Sequence, residues 1–330
     1  MANPSIALHM QMSESWQRVL VMPLDEMKKL STRPLRWLRY MGYCIYGAEG
    51  HLQATILGHN AVDPNQTTGL ANDYYYFSSH PARFIDIEAI GDKITDSAMT
   101  PRRKSFRREV VNRDSVCIVT RGEPRSCEAC HIIPHSKGNG YLESLSVYRG
   151  IDPAITEIKD PVCNNGLLLF VALHKPFRLG EIGLLLVTSH HDPNASDRLI
   201  LQHIMPADPL FNSFAQHNTD AAFNNGATRP EPQLLHFFYG CAILKRWGVD
   251  AQSLVPSPLR DREIFSREEG PRGRSNAWQS GATRSMEDVM DFVLSIATRD
   301  PLLTITTRDP PEDKTNIAQN KVTQWLKDVT

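Results

Sequence analysis

The chain has 330 residues, 41% hydrophobic and 22% charged, with 36 Lys+Arg against 37 Asp+Glu and a formal net charge of -1. That length supplies chain for about two domains with a sizeable core, and the composition excludes a collagenous, low-complexity or wholly disordered protein. The near-neutral total argues, as an average, against a polyanion-binding protein.

Residues 1–100 read as a mixed α/β region. Leu24–Leu30 predicts a short helix, and Pro34 stands where a second helical turn would begin. The aromatic-rich stretch Trp37–Tyr46, the turn Ala48-Glu49-Gly50 and the apolar run Leu52–Ile56 predict a hairpin. Tyr74–Phe77 predicts a packed strand rather than a base-stacking platform, because buried aromatic rings are far commoner than nucleic-acid stacks. Residues 101–187 form a second region that opens with a basic helix, Pro101–Asp114. Phe106, Val110 and Val111 recur there at helical spacing, leaving Arg102, Arg103, Lys104, Arg107, Arg108 and Arg113 for solvent. Two short strand-like runs and a loop-rich stretch follow, then a strand, a turn and a helix through Gly166–His174. Residues 188–330 are expected to be a helical C-terminal region. It holds an amphipathic helix over Pro232–Gly248, with Leu234, Phe237, Phe238, Cys241 and Leu244 on one stripe. A flexible linker is expected near 255–283, and two more helices near 285–298 and 313–328.

Targeting signals are scarce. The first twenty residues lack a charged segment followed by a continuous apolar run. The apolar run Gly166–Leu173 stops at His174, far short of the ~20 residues that a membrane span needs. An intracellular protein, nuclear or cytoplasmic, with no signal peptide and no membrane partner is the expectation. The cysteines at 44, 117, 127, 130, 163 and 241 do not read as a secreted disulfide framework. The spacing Cys-x9-Cys-x2-Cys-x32-Cys from Cys117 to Cys163 lacks the paired knuckles of common zinc fingers, so these residues read first as compact core hydrophobes.

The chemistry concentrates in Cys127-Glu128-Ala129-Cys130-His131-Ile132-Ile133-Pro134-His135-Ser136-Lys137-Gly138, then Asn164-Asn165-Gly166-Leu167-Leu168-Leu169, then Leu173-His174-Lys175-Pro176-Phe177. One histidine lies on a strand-like run ended by a proline. An Asn-Gly turn follows some thirty residues later, and a second histidine sits nine residues past Asn165. A ββα finger needs that order: a histidine on a strand, a loop fixed by a hydrogen-bonding side chain, and a helix that carries a metal ligand back.

Over about 101–187 the sequence resembles the HNH endonuclease (ββα-metal finger) family, in particular fungal HNH domains with an Ala-Ala-His-Ile-Ile-Pro-His-Ser-Lys-Gly signature. The resemblance implies an α+β fold with a central ββα-metal finger and a metal-dependent endonuclease acting on nucleic acid, DNA first. It implies His131 as the general base that deprotonates an attacking water, a task that suits an imidazole with a pKa near 6.5. It implies Asn165 as the residue that orients the base-bearing segment. His174 would be a ligand for one divalent metal ion, Mg2+, Mn2+, Ni2+ or Zn2+, which would stabilise the leaving 3′-oxygen.

Two positions depart from the family pattern. Where many members carry an Asp or His directly before the base, this chain has Cys130, whose thiolate favours soft metals. Four residues after His174 stands Arg178, which cannot ligate a cation. Glu128, three residues before His131, shares a strand face with Cys130 and is the expected stand-in carboxylate. The metal set is therefore His174, Glu128 and Cys130. The candidate nucleic-acid contacts are Arg102, Arg103, Lys104, Arg107, Arg108, His135 and Lys137. His190 and His191, being adjacent, make a poor chelate, and His236 reads as structural. Cys130 and Arg178 also motivate a second reading, a degenerate finger that binds nucleic acid or protein without catalysis. The charge distribution supports a local polyanion contact: residues 101–125 carry eight Lys/Arg against three Asp/Glu. Screening beyond about 8 Å lets the nearest charges decide.

Overall fold

Alternating apolar residues open the chain: Ile6, Leu8 and Met10 are buried along β1 (Ser5–Met12), which turns back into β2 (Ser15–Pro23). The computed structural model describes residues 4–12, 14–58, 60–90, 101–134, 137, 139–150, 164–187, 198–206, 212–213, 215–223, 229–249 and 254. The expected linker and the two expected helices beyond it lie outside these residues. Two helices follow the first hairpin, α1 (Leu24–Leu30) and α2 (Pro34–Tyr46), then the strands β3 (His51–Gln53) and β4 (Asp73–Phe77). The four strands form one sheet in the order β2-β1-β4-β3, with β1 and β4 parallel and the other pairs antiparallel. Tyr74 and Tyr76 point into the core, as expected for a packed strand.

The hairpin expected over Trp37–Ile56 is corrected: Trp37–Tyr46 is helical, and β3 pairs with β4 instead. Pro34 occupies the first turn of α2, and Gly47, at φ 84°, ends the helix in the left-handed conformation. Leu35, Leu38, Met41 and Ile45 line a buried helical stripe. Tertiary burial of that stripe outweighs the strand preference of the aromatic residues.

The central region runs α3 (Pro101–Asp114), β5 (Cys127–His131), α4 (Asn139–Arg149), β6 (Gly166–Phe170) and α5 (Val171–Leu179). β5 and β6 form a two-stranded antiparallel ribbon in which His131 faces Gly166 across the register and Cys127 faces Phe170. A three-stranded antiparallel sheet, β7 (Ile182–Val187), β8 (Arg198–His203) and β9 (Thr219–Ala221), follows. The long helix α6 (Pro232–Trp247) packs on β7, β2 and α2. The fold is therefore α+β. Among the described residues, the stretch after 188 contains strands as well as a helix. α6 is not amphipathic: every residue from Leu234 to Leu244 is buried, because sheet and helix close around it. Its basic residues Lys245 and Arg246 sit in the last turn, where they complement the helix dipole. All described residues belong to one unit with a continuous apolar core. Among them, no helix is long and apolar enough to cross a membrane.

Two buried arginines fix the central region. Arg113, expected at the surface, is buried and pairs bidentately with buried Asp114 at 2.6 and 2.7 Å. The same guanidinium donates to the Gly166 carbonyl at 2.6 Å, and Asp114 accepts the Leu168 N–H at 2.9 Å. α3 is thereby locked to β6. Arg149, the last residue of α4, donates to the carbonyls of Arg83 and Cys44 and lies 5.5 Å from the Phe237 ring centroid. Tyr141 of α4 donates to Asp86 at 2.8 Å.

Breaking a buried pair by removing one partner leaves an uncompensated charge, which costs about 3–5 kcal/mol. Asp114→Ala is therefore expected to lower unfolding stability by that amount in urea titration. Lys104→Ala, on the exposed side of α3, should stay within about 0.5 kcal/mol. A comparable effect of the two substitutions would contradict the assignment.

Candidate functional site

Residues alternate across a strand, so β5 presents two faces. Cys127, Ala129 and His131 fall on one face, Glu128 and Cys130 on the other, and α3 and α5 both pack on the ribbon.

On the α3 side, the His131 imidazole is half-buried and stacks flat on the Phe106 ring, with centroids 3.7 Å apart and planes inclined by 5°. Phe106 is held in place by its neighbour. Arg107 donates to the carbonyls of Cys127 at 2.5 Å and Pro124 at 2.6 Å, tying α3 to the entrance of β5. The guanidinium expected to meet phosphate is therefore engaged inside the fold. Lys104 and Arg108 are exposed on the same helix. The side chains of Arg102 and Arg103, and all of His135, lie outside the described residues. Lys137 is half-buried, with its ammonium 5.5 Å from the Tyr141 ring centroid.

Asn165 is buried directly before β6. Its side-chain oxygen accepts the Ile133 N–H at 2.8 Å, and its amide donates to the Ile133 carbonyl at 3.0 Å. Its own carbonyl accepts the Ile132 N–H at 3.1 Å. Three hydrogen bonds thus pin the turn that follows His131 to the start of the second strand.

On the α5 side, α5 starts immediately after β6 and brings His174 over β5. His174 Nδ1 contacts Glu128 Oε2, and Cys130 bonds to the same imidazole. Burial pulls the imidazole pKa down, but hydrogen bonds and charge from Cys130 and Glu128 outweigh it and hold it at about 10. Cys130 is itself buried, with its sulfur 3.6 Å from the His131 carbonyl. Pro176 and Arg178 follow on the same helix, Arg178 half-buried.

Glu128, Cys130 and His174 are thus brought together, while His131 lies on the opposite face of the ribbon. Among the described residues, no three His, Cys, Asp or Glu side chains form a group that could hold a metal ion. The donor set is a carboxylate and an imidazole in contact, with a buried thiol behind them. A hard cation such as Mg2+ keeps several waters and takes one or two protein carboxylates plus substrate phosphate. Glu128 and His174 are the groups that could hold such a partly hydrated ion once the imidazole gives up its proton, and they fall short of a closed protein cage.

Sequence reasoning did not find the Phe106 stack. Phe106 carried only the signal of an apolar helix position, and nothing local marks its partner. The alternation along β5, by contrast, was enough to place Glu128 on the face that it shares with Cys130.

The family model for HNH endonuclease matches residues 117–185, from the loop before β5 into β7. No curated protein and no solved structure matches the chain.

Asn165→Ala strips the bonds from both backbone groups of Ile133, and each buried group left unsatisfied costs about 1–3 kcal/mol. The expected result is a loss in that range in chemical denaturation, with faster hydrogen exchange at the Ile133 amide. An unchanged exchange rate would show that the turn is held by other means. The raised His174 pKa sets a pH dependence. In metal-free protein, the stabilisation from its charged form is fully present below the ordinary value of 6.5. It is lost as pH rises towards about 10. The difference in denaturation midpoint between the native chain and Glu128→Gln should therefore shrink from pH 6 to pH 10. A constant difference would dispose of the ion pair.

Proposed function

We propose that this chain, which carries an HNH-family segment at residues 117–185, is a metal-dependent endonuclease that hydrolyses phosphodiester bonds of nucleic acid, DNA in the first place. The observation that supports it is the Glu128 carboxylate set against the His174 imidazole, within a strand–strand–helix unit whose first strand ends in a half-buried histidine. An oxygen donor thus reaches the imidazole despite the thiol at position 130 and the arginine at 178.

In this reading His131 is the proton acceptor. A neutral ring nitrogen takes the proton of a water as its oxygen attacks the phosphorus, and the 3′-oxygen leaves. Asn165 keeps the His131 turn fixed through Ile133, so little conformational freedom is lost when substrate docks. Glu128 and His174 would hold the divalent ion, with Cys130 beside them favouring zinc when its sulfur joins the set. When bound, that ion supplies neutralisation of charge developing on the phosphate. Lys104 and Arg108, with Arg102 and Arg103 on the preceding turn, would meet phosphates flanking the cut. His135 and Lys137 are the candidate contacts beyond the proline.

A second reading, a finger that binds nucleic acid without cutting it, is favoured by one observation: His131 lies flat against Phe106 on the face of the ribbon opposite His174. A plasmid-nicking assay with Mg2+, Mn2+, Ni2+ or Zn2+ separates the two. Catalysis predicts cleavage with at least one ion and a loss of about 10²–10⁴-fold in His131→Ala, the range that a general base contributes. His174→Ala should lose the metal dependence. Cleavage unchanged by His131→Ala would sink the role of that residue. Retardation of DNA in a gel without cleavage by any ion would establish the binding reading.

A further inference from the structure

Two sulfurs outside the Glu128–His174 cluster are built into a site of their own. From Cys117 the chain turns tightly on itself: the Arg121 N–H donates to the Cys117 carbonyl at 3.0 Å, and the Cys117 N–H donates to the Gly122 carbonyl at 2.8 Å. Arg121 takes φ 60° to close this turn. The turn aims backbone N–H groups at one atom. Cys117 Sγ accepts from Thr120 N at 3.3 Å and from Phe170 N, at the end of β6, at 3.1 Å. The thiol of Cys127, the first residue of β5, is in hydrogen-bond contact with the same sulfur. Cys127 Sγ also lies 3.1 Å from the Glu123 carbonyl. Both cysteines are free and buried.

Convergent N–H donors favour an anion at their focus. The hydrogen bond from Cys127, foremost, together with those from Thr120, outweighs burial and holds the Cys117 thiol well below the usual range. The sulfur at the focus of the Thr120 and Phe170 N–H groups thus has a second free cysteine, Cys127, as its neighbour. That is the pairing which nucleophilic attack followed by resolution requires.

We propose that Cys117 and Cys127 form a reversible, hydroperoxide-oxidised dithiol site. The Cys117 thiolate attacks the terminal peroxide oxygen. An S–O bond forms, the O–O bond takes up two electrons and breaks, and hydroxide or alkoxide leaves, giving the sulfenic acid. Cys127 then attacks that sulfur, its proton and the departing hydroxyl leave as water, and the S–S bond closes. In sum two thiols and one hydrogen peroxide give a disulfide and two waters. The cross-link would staple the loop 117–127 at the end of the ribbon remote from His131, so it stands apart from the nuclease reading.

The test treats the folded full-length chain with millimolar hydrogen peroxide, blocks remaining thiols with a maleimide, and maps peptides by mass spectrometry before and after dithiothreitol. The expected product is a peptide pair joined through Cys117 and Cys127, lighter by two hydrogens and separated by the reductant. Cys127→Ser should replace it with sulfenic acid at Cys117 that a dimedone probe captures. Cys117→Ser should lose both products, with circular dichroism confirming that each variant folds. Unmodified thiols at both positions in the treated native chain, or cross-links joining other cysteines instead, would overturn the proposal.

Discussion

The geometry of the central region depends on a charged pair that water does not reach. Arg113 and Asp114 are adjacent at the end of α3, yet both side chains turn inward and are satisfied by β6 as well as by each other. Desolvating two such groups is costly, and only complete hydrogen bonding makes their burial tolerable. Completeness here requires the Gly166 carbonyl and the Leu168 N–H to stand in one place. The pair therefore fixes the register between helix and ribbon. From that register follow the seating of Phe106 against His131, the position of Asn165 one residue before Gly166, and the start of α5 that delivers His174.

The ribbon then divides the chemistry between its faces. The α3 side offers a flat imidazole and exposed cations. The α5 side offers an imidazole that meets a carboxylate and a thiol. Charges on the α5 side are spent on one another, as the raised His174 pKa shows. A divalent ion entering there would compete with the imidazole proton, so its binding would release a proton and tighten as pH rises.

Much of this could be read from the chain and some could not. The bounds of α1 and α3 follow from helical periodicity, and the strand at Tyr74–Phe77 follows from its ring content. The order His131, Asn165, His174 announced strand, turn and helix. The opening hairpin went unread because no Asn-Gly or Asp-Gly turn joins β1 to β2, although Ile6, Leu8 and Met10 alternate. Trp37–Tyr46 misled because aromatic residues suit strands, whereas burial against the sheet decided for a helix. Arg107 and Arg113 show the limit of charge patterning. Periodicity places a cation on a helix, but only the neighbouring carbonyls determine whether it faces water. Glu128 was within reach of sequence reasoning because strand alternation is local; the Phe106–His131 stack was not, because it joins elements that the chain alone does not align.

The helix between β5 and β6 has a consequence for modularity. The family match ends at residue 185, but α4, inside it, is rooted elsewhere: Arg149 and Tyr141 find their partners at Cys44, Arg83, Asp86 and Phe237. Cut out at its similarity boundaries, the segment would carry a guanidinium and a phenol stripped of their partners, and the connection between its two histidines would lose its anchor. The boundaries of resemblance and the boundaries of cooperative folding are different lines in this protein. The segment that resembles the family is an internal part of a larger fold rather than a detachable one.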